Sequence, residues 1–366
     1  MKKIAINTGG GDAPGLNAVI RSVVLASHQL GWECWGIRNG FNGLLEPEKY
    51  EDVGGGLKLL TPRTVRGITH LGGTIIGTTN RGNPLRFPIK QADGSYIEVD
   101  RTDDVVKELK EHGIDALVSI GGDGSMEIAH VLAKKGLQVI GVPKTIDNDL
   151  ERTVATFGFE TAVEFATNCI DRLHSTAEAH ERVMVVEVMG RYAGWIALHS
   201  GIAGTADCIL IPEIPYDINV VAQKVKQRDA EGTNFSIIVV AEGAIPKDGT
   251  FSIIGKSLGQ AERLGGAGEK IANAIQELTG KETRLVVLGH LQRGGMPTAN
   301  DRLLALRFGA AAVRALAQGS SDVMVALNPP NVDTVPLEEV SRRMKRVSVD
   351  SDIILTAREL GMSFGD

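Results

Sequence analysis

The stretch Ile4-Ala-Ile-Asn-Thr-Gly-Gly-Gly-Asp-Ala-Pro-Gly-Leu-Asn-Ala-Val-Ile20 passes from a short apolar run, through three glycines, into a helical pattern. Ile4–Asn7 has the length of a buried strand. Leu16, Val19, Ile20, Val23 and Val24 then fall at the i, i+3, i+4, i+7, i+8 spacing of one helix face, and Asp12 and Pro14 supply start signals. The unit is strand, glycine turn, helix. It recurs: further strands are expected at Cys34–Ile37, Ala116–Ile120, Val139–Val142, Val183–Val188, Cys208–Ile211, Ser236–Val240, Leu285–Leu288 and Val323–Leu327. A second helical face follows at Val163, Ala166, Ile170, Leu173 and Ala177. Such alternation predicts the α/β class, with mainly parallel sheets covered by helices on both faces. Nine strands exceed one small sheet, so two doubly wound lobes are expected; irregular strand spacing disfavours the barrel alternative. The stretch Gly82–Tyr96, with Pro84, Pro88 and Gly94, reads as a loop or surface insertion.

Composition narrows the function classes. Of 366 residues, 39 are Lys or Arg and 45 are Asp or Glu, a net charge of −6. Binding held by phosphate neutralisation along a nucleic acid normally needs a basic chain. A hydrophobic content of 43% is enough to build real cores. Cys34, Cys169 and Cys208 show no CxxC spacing, which fits a reducing compartment and a cytoplasmic setting. The first apolar run is too short for a signal peptide, and no window approaches a membrane span. Glycine is over-represented, at 44 residues.

In open parallel sheets, ligands bind beyond the carboxyl ends of the strands. Two of the loops there, Thr8–Gly15 and Gly121-Gly-Asp-Gly-Ser125, are glycine-rich turns opening helices, suited to holding phosphate on backbone N–H groups. Neither is a Walker loop and neither fits GxGxxG, which argues against a nicotinamide oxidoreductase. Two in neighbouring strands, one carrying Asp123, suit a polyphosphate with bound Mg²⁺. Pro143-Lys-Thr-Ile-Asp-Asn-Asp149 adds carboxylates beside them, one of which can take a hydroxyl proton as that oxygen attacks phosphorus. The glycine triplet Gly54–Gly56 and the pair Gly265-Gly266 read as plain turns.

Four arginines carry a geometric argument. Arg182 and Arg191 flank Val183–Val188, and Arg284 and Arg293 flank Leu285–Leu288. Nine extended residues span roughly 30 Å, so one small phosphate cannot be gripped by all four within one chain. Either Arg182 and Arg284 are surface arginines, or they serve a neighbouring subunit.

These loops, in this order, resemble the 6-phosphofructokinases over nearly the whole chain. The resemblance is carried by Gly9-Gly-Gly-Asp-Ala-Pro-Gly-Leu-Asn17, Gly121–Ser125, Pro143–Asp149, Val185-Val-Glu-Val-Met-Gly-Arg-Tyr-Ala-Gly194 and Leu288-Gly-His-Leu-Gln-Arg-Gly-Gly295. It implies phosphoryl transfer from ATP to the 1-hydroxyl of fructose 6-phosphate, with the active site in a cleft between the lobes. Asp147 matches the catalytic base, Thr145 the residue beside it on the transferred phosphate, and Arg191 a group stabilising the transition state. Gly11, Gly122, Asp123, Gly124 and Ser125 match the ATP site, Asp123 holding Mg²⁺ through the nucleotide. Asn80 occupies the slot of an expected arginine, so Arg81 is assigned in its place. Ile146, Met189, Gly190, Glu242, His290, Leu291, Gln292 and Arg293 match sugar-phosphate contacts, with Thr145, Asp147 and Arg191. Arg182 and Arg284 match arginines reaching the 6-phosphate from an adjacent subunit, which implies a homo-oligomer. The implied lobes are 1–158 plus about 293–345 for ATP and Mg²⁺, and 159–292 plus about 346–366 for the sugar phosphate.

The family divides between ATP and pyrophosphate users. Pyrophosphate enzymes carry an aspartate where this chain has Gly124, and its carboxylate would crowd and repel the α-phosphate of ATP. Lys144 is typical of pyrophosphate enzymes. Exclusion outweighs accommodation, so ATP is the expected donor and pyrophosphate the alternative. A non-catalytic sugar-phosphate sensor on the same fold is a remote third reading. The effector cleft known in bacterial relatives looks eroded: Arg21 is kept, but Leu25, His174 and Thr233-Asn234 replace cations, and Asp207 replaces a glutamate.

Overall fold

The computed structural model describes residues 1–249, 253–255, 263–341 and 343–366. From the amino terminus come β1 (Lys3–Thr8), β2 (Glu33–Ile37), β3 (Leu57–Leu60), a hairpin of β4 (Phe87–Lys90) and β5 (Tyr96–Val99), then β6 (Ala116–Gly121) and β7 (Gln138–Pro143). A second group follows: β8 (Val183–Val188), β9 (Cys208–Leu210), β10 (Ser236–Ala241), the short pair β11 (Ile253–Gly255) and β12 (Arg263–Leu264), and β13 (Thr283–Val287). Finally β14 (Val323–Asn328) and β15 (Asn331–Pro336) return to the first group.

Two main sheets result. One has seven strands in the order β15-β14-β7-β6-β1-β2-β3, the other four in the order β13-β8-β10-β9. The four-stranded sheet is parallel throughout, and the larger one is antiparallel only at its β3 and β15 edges. Every residue of β6, β8 and β10 is buried, as expected for strands covered by helices on both faces. Helix Leu16–Gln29 lays Val19, Ile20 and Val23 against Phe308 and Ala312 of helix Ala299–Ala317. Phe157, wholly buried in that core, contributes roughly 1.5–3 kcal/mol by its burial. A second core joins Ala13 and Ile146 to β8, β10 and the carboxy-terminal Ile354, Ala357 and Phe364. Ala13 and Ile146 bring loops of the larger sheet onto this core of the smaller one.

The α/β class, the parallel sheets and the nine strands stand, with shifted ends and several additions. Of the two readings of Gly82–Tyr96, a plain loop is corrected: β4 lies within it and Tyr96 opens β5, a mostly exposed two-stranded ribbon apart from the main sheets, with Pro88 tolerated where outer edges need no ladder partner. β3 and β15 add to the expected strands; both are edge strands with mixed exposure, and their alternation is weak. β13 begins at Thr283, so Arg284 is its second residue rather than a flanking one. Gly56 is more than a turn: its α-carbon packs on the Gly43 carbonyl, leaving no room for a side chain.

Candidate active site

The glycine loops after β1 and β6 are stitched together. Gly9 N donates to Ile120 O at 2.9 Å, and Thr78 Oγ1 donates to Thr8 O at 3.0 Å and Gly10 O at 2.6 Å. Ser125 is wedged between the loops: a β-carbon at Gly9 would lie 2.6 Å from Ser125 Oγ, and one at Gly121 would collide with it. Gly122 leads helix Asp123–Lys134 without a side-chain cap among the described residues, so its first-turn N–H groups face outward for an anion. Asp123 and Gly124 are exposed on that turn. A β-carbon at Gly124 would meet no described heavy atom within 4 Å. Asn80 and Arg81, also exposed, follow Thr79, whose carbonyl accepts from Gly10 N at 3.2 Å.

Beside this rim lie two cations, Lys144 buried and Arg293 half-buried. Lys144 is 4% exposed and its ammonium donates to Gly11 O. Burial, reinforced by Arg293, pulls its pKa down to about 8 against the pull of Asp12, Asp147 and Asp149. Arg293 donates to Asp12 O at 3.1 Å and lies flat on Gly11, where a β-carbon would sit 2.8 Å from its guanidinium.

The carboxylates follow β7. Lys144 N donates to Gly121 O at 2.9 Å, and Asp147 N to Thr145 Oγ1 at 3.1 Å. Asn148, between the two carboxylates, is left-handed (φ 51°). Asp147 is half-buried as a residue, but its Oδ1 is sealed from solvent and has no hydrogen-bond partner among the described residues. Burial raises its pKa, with Glu242 adding to the rise and Arg293, Arg191 and Lys144 opposing it. Asp149 is raised too, by burial and then by Asp147 and Asp123.

Arg191 enters from the loop after β8, where Glu242 N donates to Val188 O at 2.9 Å and Gly243 N to Gly190 O at 3.1 Å. Glu242 is raised by burial, and Arg191 is the strongest influence holding it down. Asp147, Glu242, Arg191, Arg293 and Lys144 therefore share one electrostatic neighbourhood. Met189 and Gly190 are buried beneath it, His290 and Leu291 are exposed, and Ile146 and Gln292 are fully buried.

Arg182 and Arg284 lie elsewhere. They sit at the amino ends of β8 and β13, about 20 Å of strand from Arg191 and Arg293. Both pair with Glu282, Arg182 Nε at 2.8 Å. One residue at the site lies outside every loop that follows a strand. Lys345 reaches the Asp147 loop from far along the chain, donating to Asn148 Oδ1 at 3.1 Å, and no motif signals it.

Fold and rim together define an α/β protein with mainly parallel sheets, whose glycine loops adjoin three cations, one of them buried, and a desolvated carboxylate. A family model described as Phosphofructokinase matches residues 3–316, and the chain belongs to that family. It is 53% identical over 365 residues to a protein of Chloroflexus aggregans named ATP-dependent 6-phosphofructokinase, covering 100% of this chain and 98% of the relative. It is 47% identical to a protein of Amycolatopsis mediterranei named pyrophosphate--fructose 6-phosphate 1-phosphotransferase, covering 95% and 97%. The solved phosphofructokinase of Saccharomyces cerevisiae superposes with a TM-score of 0.76 at 32% identity, covering 93% of this chain and 45% of that longer one.

Proposed function

We propose that this chain is an ATP-dependent 6-phosphofructokinase, transferring the terminal phosphoryl group of ATP to the 1-hydroxyl of fructose 6-phosphate. The products are fructose 1,6-bisphosphate and ADP. The observation that carries the reading is Asp147: a sealed carboxylate oxygen, unpartnered among the described residues, within reach of Lys144, Arg191 and Arg293. Such a group is ready to accept the hydroxyl proton as the oxygen attacks phosphorus, while the cations offset charge developing on the phosphoryl oxygens. Thr145 stands beside it, and Gly11, Gly122–Ser125, Asn80 and Arg81 form the donor side. Met189, Gly190, Glu242, His290, Leu291, Gln292 and Arg293 form the acceptor side, together with Ile146.

Mg²⁺ fits this donor set. Asp123 lies close enough to raise the pKa of Asp149, and a divalent cation relieves that crowding. No cluster of three ligating side chains exists among the described residues, so Asp123 would hold the ion with donor oxygens and water. When bound, Mg²⁺ neutralises charge on the donor phosphates.

Relatives named for ATP reach 53% identity and one named for pyrophosphate stands at 47%, so the donor is also read locally. The open space over Gly124 supports ATP. Arg182 and Arg284 support a homo-oligomer in which each subunit lends them to its neighbour's sugar-phosphate site. The ATP lobe is assigned to 1–158 and about 293–345, the sugar lobe to 159–292 and about 346–366; the cores on the two sheets support this division. No described helix is long and apolar enough to cross a membrane. The test is fructose 1,6-bisphosphate formation with ATP and with pyrophosphate as sole donor. Turnover with pyrophosphate alone would overturn the donor; no turnover with either would overturn the activity.

A further inference from the structure

The family model ends at residue 316, yet a later segment reaches the Asp147 loop. Met344 pairs with Leu150 in an isolated antiparallel bridge, and Lys345 N donates to Asp149 O at 2.8 Å. The Lys345 ammonium makes three hydrogen bonds: to Asn148 Oδ1 at 3.1 Å, Thr153 O at 3.0 Å and Val154 O at 3.0 Å. Its three protons are thereby used. On the other side, Trp195 Nε1 donates to Lys345 O at 3.1 Å, and Val347 N to Glu213 Oε1 at 2.9 Å. Glu213 also accepts from Gly194 N at 3.1 Å, three residues beyond Arg191. The segment Met344–Val347 is therefore a strap lying between the loop that holds Asp147 and the loop that holds Arg191.

We infer that Lys345 is a positioning residue for phosphoryl transfer, fixing Asn148 so that Asp147 keeps its aim at the acceptor hydroxyl. Asn148 explains why one ammonium matters. A non-glycine residue at φ 51° persists only where its surroundings over-determine it. Its side-chain oxygen has two principal anchors, Thr156 N at 3.1 Å and Lys345 Nζ. Removing Lys345 leaves Thr156 alone to anchor it, through its N–H and a long hydroxyl contact, and frees two carbonyls of the same loop. Asp147, one residue away, has no hydrogen bond of its own at Oδ1 among the described residues to hold its direction. Its aim depends on the backbone beneath it. Burial pulls Lys345 down to about 8, so the tie is charged at neutral pH.

The inference rests on the phosphofructokinase reading, and the experiment separates the two. Full-length wild type, Lys345→Met, Lys345→Ala, Asn148→Gly and Trp195→Phe are compared for kcat, both KM values and melting temperature. Misplacing a catalytic group by about 1 Å costs on the order of a hundredfold. Lys345→Met is expected to lower kcat by about ten- to a hundredfold, with both KM values within about threefold of wild type. Ethylammonium should restore part of kcat to Lys345→Ala, saturably, which a merely structural role would not allow. Asn148→Gly, whose backbone tolerates the same φ, should lose kcat as Lys345→Met does. Trp195→Phe removes a different tether of the strap but not the ammonium and should keep kcat. Wild-type activity with full activity in Lys345→Met or in Asn148→Gly would overturn the inference. So would an equal kcat loss in Trp195→Phe, or an ethylammonium-insensitive Lys345→Ala. An inactive wild type would instead overturn the functional reading.

Discussion

Arg182 and Arg284 meet on one carboxylate: Arg182 Nε lies 2.8 Å from Glu282, and Arg284 closes on its other oxygen. The parallel register that sets Arg284 opposite Met184 puts both guanidinium groups at one end of the small sheet. Glu282 is held below the ordinary carboxylate range, chiefly by the Arg182 hydrogen bond. Two guanidinium groups prepared side by side suit a phosphate dianion. They lie at the opposite end of that sheet from Arg191, which acts on their own chain's Asp147.

A shared site has a distinctive signature. Arg182→Ser should raise the KM for fructose 6-phosphate about ten- to a hundredfold, since a hydrogen bond to a charged group is worth about 1.5–3 kcal/mol, with a smaller effect on kcat. At fructose 6-phosphate well below the KM of Arg182→Ser, hybrid oligomers of Arg182→Ser and Asp147→Asn subunits should exceed the summed activity of their parents. Hybrids no better than the sum of their parents would place both functions in one subunit.

Asp147→Asn should lower kcat by about 10²–10⁴-fold with little change in either KM, the usual scale for a lost general base. Because burial raises Asp147 in the folded protein, the acid limb of the kcat profile should lie above the ordinary value of 3.8. The sign follows from the role: the base works ionised, so activity is lost as pH falls through its raised pKa. A pH–rate profile flat down to about 4, the ordinary carboxylate value, would contradict the assignment.

Most of this arrangement is legible in the chain because it sits where short-range signals are strong. Glycine turns after apolar runs locate Gly9–Gly11 and Gly121–Gly124, and strand length alone separates Arg182 from Arg191. Lys345 is not legible. Its contact with Asn148 spans 197 positions, and a lysine in a polar carboxy-terminal stretch carries no periodicity. β15 and the β4–β5 hairpin escape the sequence for a related reason: edge strands bury little, so their alternation is blurred. Glu213, joining Gly194 to Val347, is a half-buried polar contact created only by the tertiary fold.

Lys144 gives a prediction on the alkaline side. Its ammonium is an electrostatic asset to a polyphosphate only while protonated, and that charge is lost as pH rises through about 8 rather than the usual 10.5. The KM for the phosphoryl donor should therefore climb above about pH 8, while that for fructose 6-phosphate climbs less. Lys144→Met should show a raised donor KM already at neutral pH, with the alkaline rise removed. A donor KM equally steep in that variant would assign the titration to another group.

Gly124→Asp tests donor choice at a position where the fold imposes no penalty. A side chain there meets open space, so the variant should melt within a few degrees of wild type. Its carboxylate would stand beside Asp123 at the mouth of the phosphate cradle and repel the α-phosphate of ATP. ATP-dependent turnover should fall by more than about tenfold, a cost of about 1.4 kcal/mol, with pyrophosphate-dependent turnover affected less. Unchanged use of ATP would show that Gly124 does not gate the donor.

The effector cleft that the resemblance implies yields the last prediction. Asp207, standing where a glutamate is expected to hold effector Mg²⁺, is 9% exposed and already satisfied: Arg228 donates to it at 2.8 Å and Ile237 N at 2.8 Å. His174 is turned toward Gly204 O at 2.7 Å, and Arg21 donates to Val65 O at 2.9 Å. A polyanion binding there would have to break those ties, with fewer cations in return than the resemblance implies. Titrating phosphoenolpyruvate should shift half-saturation by fructose 6-phosphate by less than about twofold, well under the ~1–3 kcal/mol usual for allosteric coupling. Arg228→Ala, which releases the Asp207 carboxylate but removes a cation from the same cleft, should not create a response. A strong shift in wild type would mean that Arg228 leaves Asp207 when an effector arrives.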